Sequence, residues 1–277
     1  MSVPESDRAL FLALAELHRR HLGNGGVGAS ASDILTGYEL RGFSQNGEDG
    51  VLAEILARIG TAGRRFVEFG IESGREGNCV LLADVLGWAG AFLEPDPHHF
   101  ALLEAKYAGT PRVLTRNVAV TPQNVEPLFD ELDVGAELDV LSIDVDGQDY
   151  WIWQALSRYR PRVVVIEYNS ALPLDRHLVQ PIGSAQRWDG TDYFGASLGA
   201  LEALAAGKGY RLVHTDLAGC NAFFVRQDLG PGRFPVGEEV PRRSLPNYYL
   251  SGIRHPVDPQ ARPYLDLQAG ELRALER

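Results

Sequence analysis

Acids stand at the ends of the apolar runs that read as strands: Glu68 in RRFVEFG (64–70), Glu94 in AFLEPD (91–96), Asp144 and Asp146 in DVLSIDVDGQD (139–149), and Glu167 in RVVVIEYN (162–169). In doubly wound sheets ligands bind beyond the carboxyl ends of the strands, so these side chains are placed to do chemistry. Gly70 and Gly74 in the first turn let backbone approach a ligand, and Glu94, roughly two dozen residues on, is placed to chelate a ribose diol. A nucleoside-bearing cofactor is therefore expected, with Glu68, Gly70, Glu72, Gly74, Asn78, Glu94, Pro95, Asn117 and Asp144 around it. A pyrophosphate wants neutral N–H groups, and Glu68 and Glu72 would oppose it. S-adenosylmethionine (SAM) carries an ammonium and a sulfonium, which suit acids, so SAM is preferred to a dinucleotide. The plainer alternative is an ordinary strand-to-helix turn with surface acids.

Strands four and five are neighbours in such a sheet, which brings Asp144, Asp146, Glu167 and Asn169 to one small volume. Carboxylates gathered there repel unless a cation lies between them. Oxygen-only ligands suit Mg²⁺, and a divalent ion holding a substrate diol would lower the hydroxyl's pKa for a nearby base. On this reading Asp144, Glu167 and Asn169 are the metal ligands and Asp146 is the base. On the other, Asp144 borders the methyl-transfer channel while Asp146 and Asp149 cap the helix beginning YWIWQAL. Methyl transfer needs chiefly positioning and removal of a proton, so His177 and His214 compete as bases. His98 and His99 open a helix and face solvent. Trp151 and Trp153 cannot share a helix face, so one belongs to the core. The stretch from Gln186 to Tyr193 reads either as a sugar-binding loop or as a plain structural one.

These residues must be held by a regular frame. Helical periodicity places a first helix at 5–22 and a second at 48–59, whose acids Glu48 and Asp49 suit a helix start on dipole grounds alone. From Arg64 strands at 64–70, 89–94, 112–120, 137–144 and 162–168 alternate with helices near 77–87, 97–107 and 150–158, which argues for a parallel sheet. After a helix at 197–208, GYRLVHTD and NAFFVRQD are too closely linked to be anything but antiparallel. The fold class is thus α/β, a Rossmann-like sheet of seven strands with the last antiparallel. The domain reading is an N-terminal helical extension (1–62), the SAM-binding domain (63–229) and a C-terminal arm (230–277).

Composition narrows the partners. The chain has 277 residues, 45% of them hydrophobic, a net charge of −11 and no long basic run, which argues against a nucleic-acid partner and for a small neutral or cationic substrate. No apolar stretch approaches the roughly 20 residues that span a bilayer, and the N-terminus reads as an amphipathic helix, not a signal peptide. Cys79 and Cys220 lack metal-ligand spacing and read as reduced thiols of a cytoplasmic protein. The N-terminal helix and the arm are the segments that would make a homo-oligomer contact.

As a set, SQNGEDGVLAEIL, VEFGIESGREGN, FLEPDP, RNVAV, LSIDVDGQDYWIWQAL, VVVIEYN and the terminal KGYRLV with NAFFVR resemble the FkbM-type methyltransferases over residues 43–228. The resemblance implies a class I fold, SAM as donor and a hydroxyl acceptor, as in natural-product biosynthesis. Asp144, Asp146, Glu167 and Asn169 are also similar to the metal site of magnesium-dependent sugar O-methyltransferases, in which two adjacent acids follow strand five; here that pair is Glu-Tyr-Asn. Two other readings stand beside it. Asp144-Val145-Asp146 could be the DxD of a metal-dependent glycosyltransferase, although its neighbourhood offers acids where a phosphate needs a base. The chain could equally be a binding protein that keeps the fold without turnover.

Overall fold

The computed structural model describes residues 35–184, 188–244 and 255–275; the expected helix at 5–22 lies outside them. Its centre is a seven-stranded sheet in the order β3-β2-β1-β4-β5-β8-β7. The strands are β1 (Arg65–Phe69), β2 (Ala89–Glu94), β3 (Val113–Asn117), β4 (Val140–Ile143), β5 (Val163–Glu167), β7 (Tyr210–Thr215) and β8 (Asn221–Arg226). β1 to β5 pair in parallel, and β8 runs antiparallel between β5 and β7. This is the expected α/β, Rossmann-like sheet of seven strands with the last antiparallel. Its central strands are nearly uninterrupted apolar runs because helices cover both faces: every residue of β4 and the first four of β5 are buried.

One face packs Phe69, Phe129, Trp153 and Phe224 beneath the helices Val125–Glu131, Asp149–Ala155 and Leu198–Lys208. The other packs Phe66, Phe92 and Val140 against Leu52 and Ile55 of the helix Glu48–Ile59 and against the helices Val80–Asp84 and Pro97–Tyr107. The helix 48–59, read from sequence as part of an extension, thus completes one layer of the core. Trp153 is the core tryptophan, edge-on to Tyr210 and tilted against Phe224.

Two features were not anticipated. The helix Val125–Glu131 is short, and its sequence VEPLFDE carries a proline that blurs the helical signal. A second, three-stranded sheet joins β6 (Leu178–Val179), β9 (Tyr264–Asp266) and β10 (Glu271–Arg273) in the order β10-β9-β6. Strands of two or three residues have no periodicity to read. The C-terminal arm therefore does more than wrap: its β9 pairs with β6, in the segment between β5 and the helix 198–208.

Candidate functional site

β1 delivers Glu68 to the rim and the chain turns at once. Gly70, at φ 69°, must be glycine for two reasons: its backbone is left-handed, and a Cβ there would lie 1.7 Å from the carbonyl oxygen of Asp144. The first turn and the end of β4 are therefore pressed together. Gly74, at φ 71°, has the side chain of Leu103 where a Cβ would go.

The acids of this turn are engaged by backbone. Glu68 accepts the Asn78 and Cys79 N–H groups at 2.7 and 2.9 Å and so anchors the start of the helix 80–84. Burial nevertheless pushes its carboxyl up to about 7 against those hydrogen bonds. Asn78 donates onward to Ser142 Oγ of β4. Glu94 accepts the N–H groups of Glu72 and Asp96 at 2.7 and 2.8 Å, closing the turn onto the end of β2. Each oxygen keeps a second lone pair for a ligand hydroxyl. Glu72 is exposed at φ 54°, the left-handed region, its N–H held by Glu94. Asn117, at the end of β3, donates to the carbonyls of Glu94 and exposed Pro95. The residues expected around a nucleoside thus meet at the ends of β1, β2 and β3.

β4 and β5 carry the second group. One carboxylate oxygen each from Asp144, Asp146 and Glu167 lies within 4.8 Å of the others. Asp149 shapes the loop between them: its carboxylate accepts the N–H groups of Val145 and Gly147 at 2.8 and 2.9 Å, and Asp146 at the crest is exposed with φ 56°. Asp149 thus closes the loop ahead of its helix and is not the helix cap of the plainer reading: the cap position is Gln148, which makes no side-chain capping hydrogen bond. Burial, then the charges of Asp146 and Asp149, pushes Asp144 well above the ordinary carboxylate range; burial and the charge of Asp144 do the same to Glu167. Glu167 Oε2 is buried without a hydrogen-bond partner. Three carboxylates this close, one of them carrying an orphaned oxygen, form a donor set that fits a hard divalent cation.

Asn169 does not point its amide nitrogen there. That nitrogen donates to the carbonyls of Asp192 and Phe194 and lies 3.3 Å from the Tyr264 hydroxyl, while its oxygen accepts the Ala171 N–H. It holds the segment after β5 against the arm, and the oxygen that would ligate a metal keeps one lone pair beside the Ala171 N–H. His214 is fully buried on β7 with Nε2 2.8 Å from Glu39, so it is no general base. His177 packs beside Gly199 at the start of the helix 198–208. In the loop between β6 and the helix 198–208, Asp189 accepts from Thr191 and Arg262, and the Trp188 indole donates to the Thr191 carbonyl. Among the described residues of this stretch, Trp188, Asp189 and Thr191 bond within the protein, as the structural reading expects.

Sequence reasoning missed Glu48 and Asp49. They are almost completely buried, and Asp49 Oδ2 gathers the N–H groups of Gly42, Phe43 and Ser44. Burial tends to raise Glu48, but N–H groups of Glu48, Asn46 and Gly47 and the Asn221 amide outweigh it and hold its carboxyl low. A surface helix start and a buried one share the same acids; only the apolar neighbours differ.

The charges that raise Asp144 are all acidic: Asp146, Asp149, Glu68 and Glu48. A sugar diphosphate would meet repulsion from every side, which removes support for the glycosyltransferase reading. A surface hollow lined by Asp130, Asp133, Arg158 and Tyr159 lies at the opposite rim, before β4 begins. Among the described residues no helix is long and apolar enough to cross a membrane.

No protein-family model and no curated protein matches the chain. Solved structures do. The N-terminal domain of EvdMO1, determined with S-adenosylhomocysteine (SAH) bound, is 19% identical with a TM-score of 0.43, over 76% of this chain and 95% of that one. Fibrillarin of Aeropyrum pernix, with natively bound SAM, is 13% identical with a TM-score of 0.38, over 59% of this chain and 66% of that one. The pyocyanin biosynthetic protein PhzM is 13% identical with a TM-score of 0.36, over 63% and 54%. The strand order of the sheet is what establishes the fold.

Proposed function

We propose that this protein is a SAM-dependent O-methyltransferase that methylates a hydroxyl of a small, sugar-like or natural-product acceptor, with Mg²⁺ assisting. The observation that carries the reading is the approach of Asp144, Asp146 and Glu167 oxygens to within 4.8 Å of one another, beside a glycine turn whose Gly70 abuts Asp144 itself. Donor and acceptor groups would thereby lie side by side along the rim.

Glu94 and Asn117 would hold the ribose and adenine end; Glu68, through Asn78 and Cys79, keeps the turn in shape beneath it. The sulfonium of SAM supplies an activated methyl group. Asp144 and Glu167 would hold the cation and, with it, orient the acceptor's oxygens. Asp146, exposed on the crest of its loop, would take the hydroxyl proton, and the left-handed backbone that Asp149 stabilises aims it outward. Two buried free thiols, Cys79 and Cys220, fit a reducing cytoplasm.

The test is titration calorimetry with SAH, NAD and a UDP-sugar, with and without Mg²⁺, followed by methyl transfer to a panel of polyols. Binding of SAH alone is expected, with Asp146→Asn keeping that affinity while losing about 100-fold or more in turnover. Binding of NAD or the UDP-sugar in place of SAH would overturn the reading.

A further inference from the structure

The segment from Glu39 to Asp49 crosses the carboxyl rim as a strap. At one end Phe43 O accepts the Gly77 N–H at 3.0 Å, which ties it to the glycine turn after β1. At the other, Glu48 accepts the Asn221 amide at 2.9 Å, and Asn221 stands opposite Glu167 in the sheet. Between these anchors the strands run β1, β4, β5, β8. The strap therefore passes over the end of β4, where Asp144 sits. The strap is folded around Asp49, which accepts the Phe43 and Ser44 N–H groups at 2.6 and 2.8 Å, and the Glu48 side chain makes the reach to β8. The charges of Glu48 and Glu68 both bear on Asp144, as this placement requires.

Within the strap nearly every donor is engaged. Gly42, Phe43 and Ser44 give their N–H groups to Asp49, and Asn46 and Gly47 give theirs to Glu48. Gln45, between the two sets, is exposed, and its amide makes no hydrogen bond among the described residues. The amino-acid half of SAM is a zwitterion. The rim's acids suit its ammonium and the sulfonium but repel its carboxylate, which needs a neutral or cationic donor. Two cations lie nearby: Arg41 of the strap is paired with Glu76, and Arg75 follows Gly74, which packs on Leu103 and Tyr107 of the helix 97–107, on the β2 side away from β4.

We propose that the Gln45 amide donates a hydrogen bond to the carboxylate of the donor's amino-acid half, making the strap the element that selects SAM over shorter thionucleosides. This rests on the SAM reading above. The test is calorimetry of the full chain with SAH and with 5′-methylthioadenosine, which lacks the amino-acid half. Gln45→Ala should weaken SAH about tenfold, the size of a hydrogen bond to a charged group, and leave 5′-methylthioadenosine unchanged; Gln45→Glu should weaken SAH further. Equal loss for both ligands, no loss, or a carboxylate-selective loss found in Arg75→Ala instead would overturn it. A wild-type protein that binds neither nucleoside defeats the SAM reading and this with it. One that binds both, with Gln45→Ala unaffected, defeats the Gln45 assignment alone.

Discussion

The rim's acids differ in what their oxygens hold. Glu68 and Glu94 at the ends of β1 and β2 each take two backbone N–H groups, so their charge is absorbed by the chain's own donors. At the ends of β4 and β5, Asp144 accepts no hydrogen bond among the described residues and Glu167 Oε2 is orphaned. There the charges face one another. The same residue type thus builds a turn in one half of the site and leaves an unbalanced field in the other. An unpaired buried acid is costly, and the cost is recovered only when something positive arrives.

Gly70 joins the halves, and changing it should have the largest effect. Gly70→Ala puts a methyl group 1.7 Å from the Asp144 carbonyl at φ 69°, a position that nothing flexible can vacate. Overpacking against backbone and left-handed strain together should cost more than about 3 kcal/mol, read as a lower urea midpoint with an unchanged slope. Wild-type stability in this variant would mean that the two halves are not in contact.

The contrast between the halves also marks how far sequence can be read. The strand-ending acids, the glycine turn and the closing hairpin were legible because each sits on a strong local pattern: an apolar run that stops at a polar residue, or two such runs too close to cross over. What Asn169 holds was not legible, because an amide two residues after an acid looks like a ligand, and only the folded arm, with Tyr264 and the Asp192 and Phe194 carbonyls, reveals what its nitrogen bonds. Glu48 escaped because its partner Asn221 lies 173 residues away. Local spacing finds side chains placed by one strand, not those placed by two distant segments meeting.

Next in size is the response to pH and to cation. Glu68 rises from 4.5 to about 7 on folding, so the folded state binds its proton more tightly than the unfolded chain. Stability from this group is therefore lost as pH rises from about 4.5 to about 7, on the order of 2–3 kcal/mol. Glu126 and Asp258, held down at about 2, act below that window and do not offset it. Thermal unfolding without metal should show a higher midpoint at pH 5.5 than at pH 8, and Glu68→Gln should reduce the slope without abolishing it, because buried Asp144, Asp149, Glu167 and Asp216 are raised too and act in the same direction. Mg²⁺ at pH 8 acts on the other half: at 100 times its Kd it should add about 2.7 kcal/mol, in wild type and in Glu68→Gln but not in Asp144→Asn. A Mg²⁺ effect that survives Asp144→Asn would place the cation elsewhere.

The smallest effect is expected where charges meet in water. Arg41 and Glu76 pair at 2.8 Å with side chains 62% and 49% exposed, joining the strap to the glycine turn. The same two segments are already tied by Phe43 O and the Gly77 N–H, and the strap is folded around the buried Asp49. An exposed pair of this kind contributes about 0.5 kcal/mol or less. Arg41→Ala should therefore leave the unfolding midpoint nearly unchanged and SAH affinity within about twofold. A loss above 1 kcal/mol would mean that surface charge, and not the buried backbone bonds, holds the strap over the site, and the division between engaged and unbalanced acids would have to be redrawn to include Glu76.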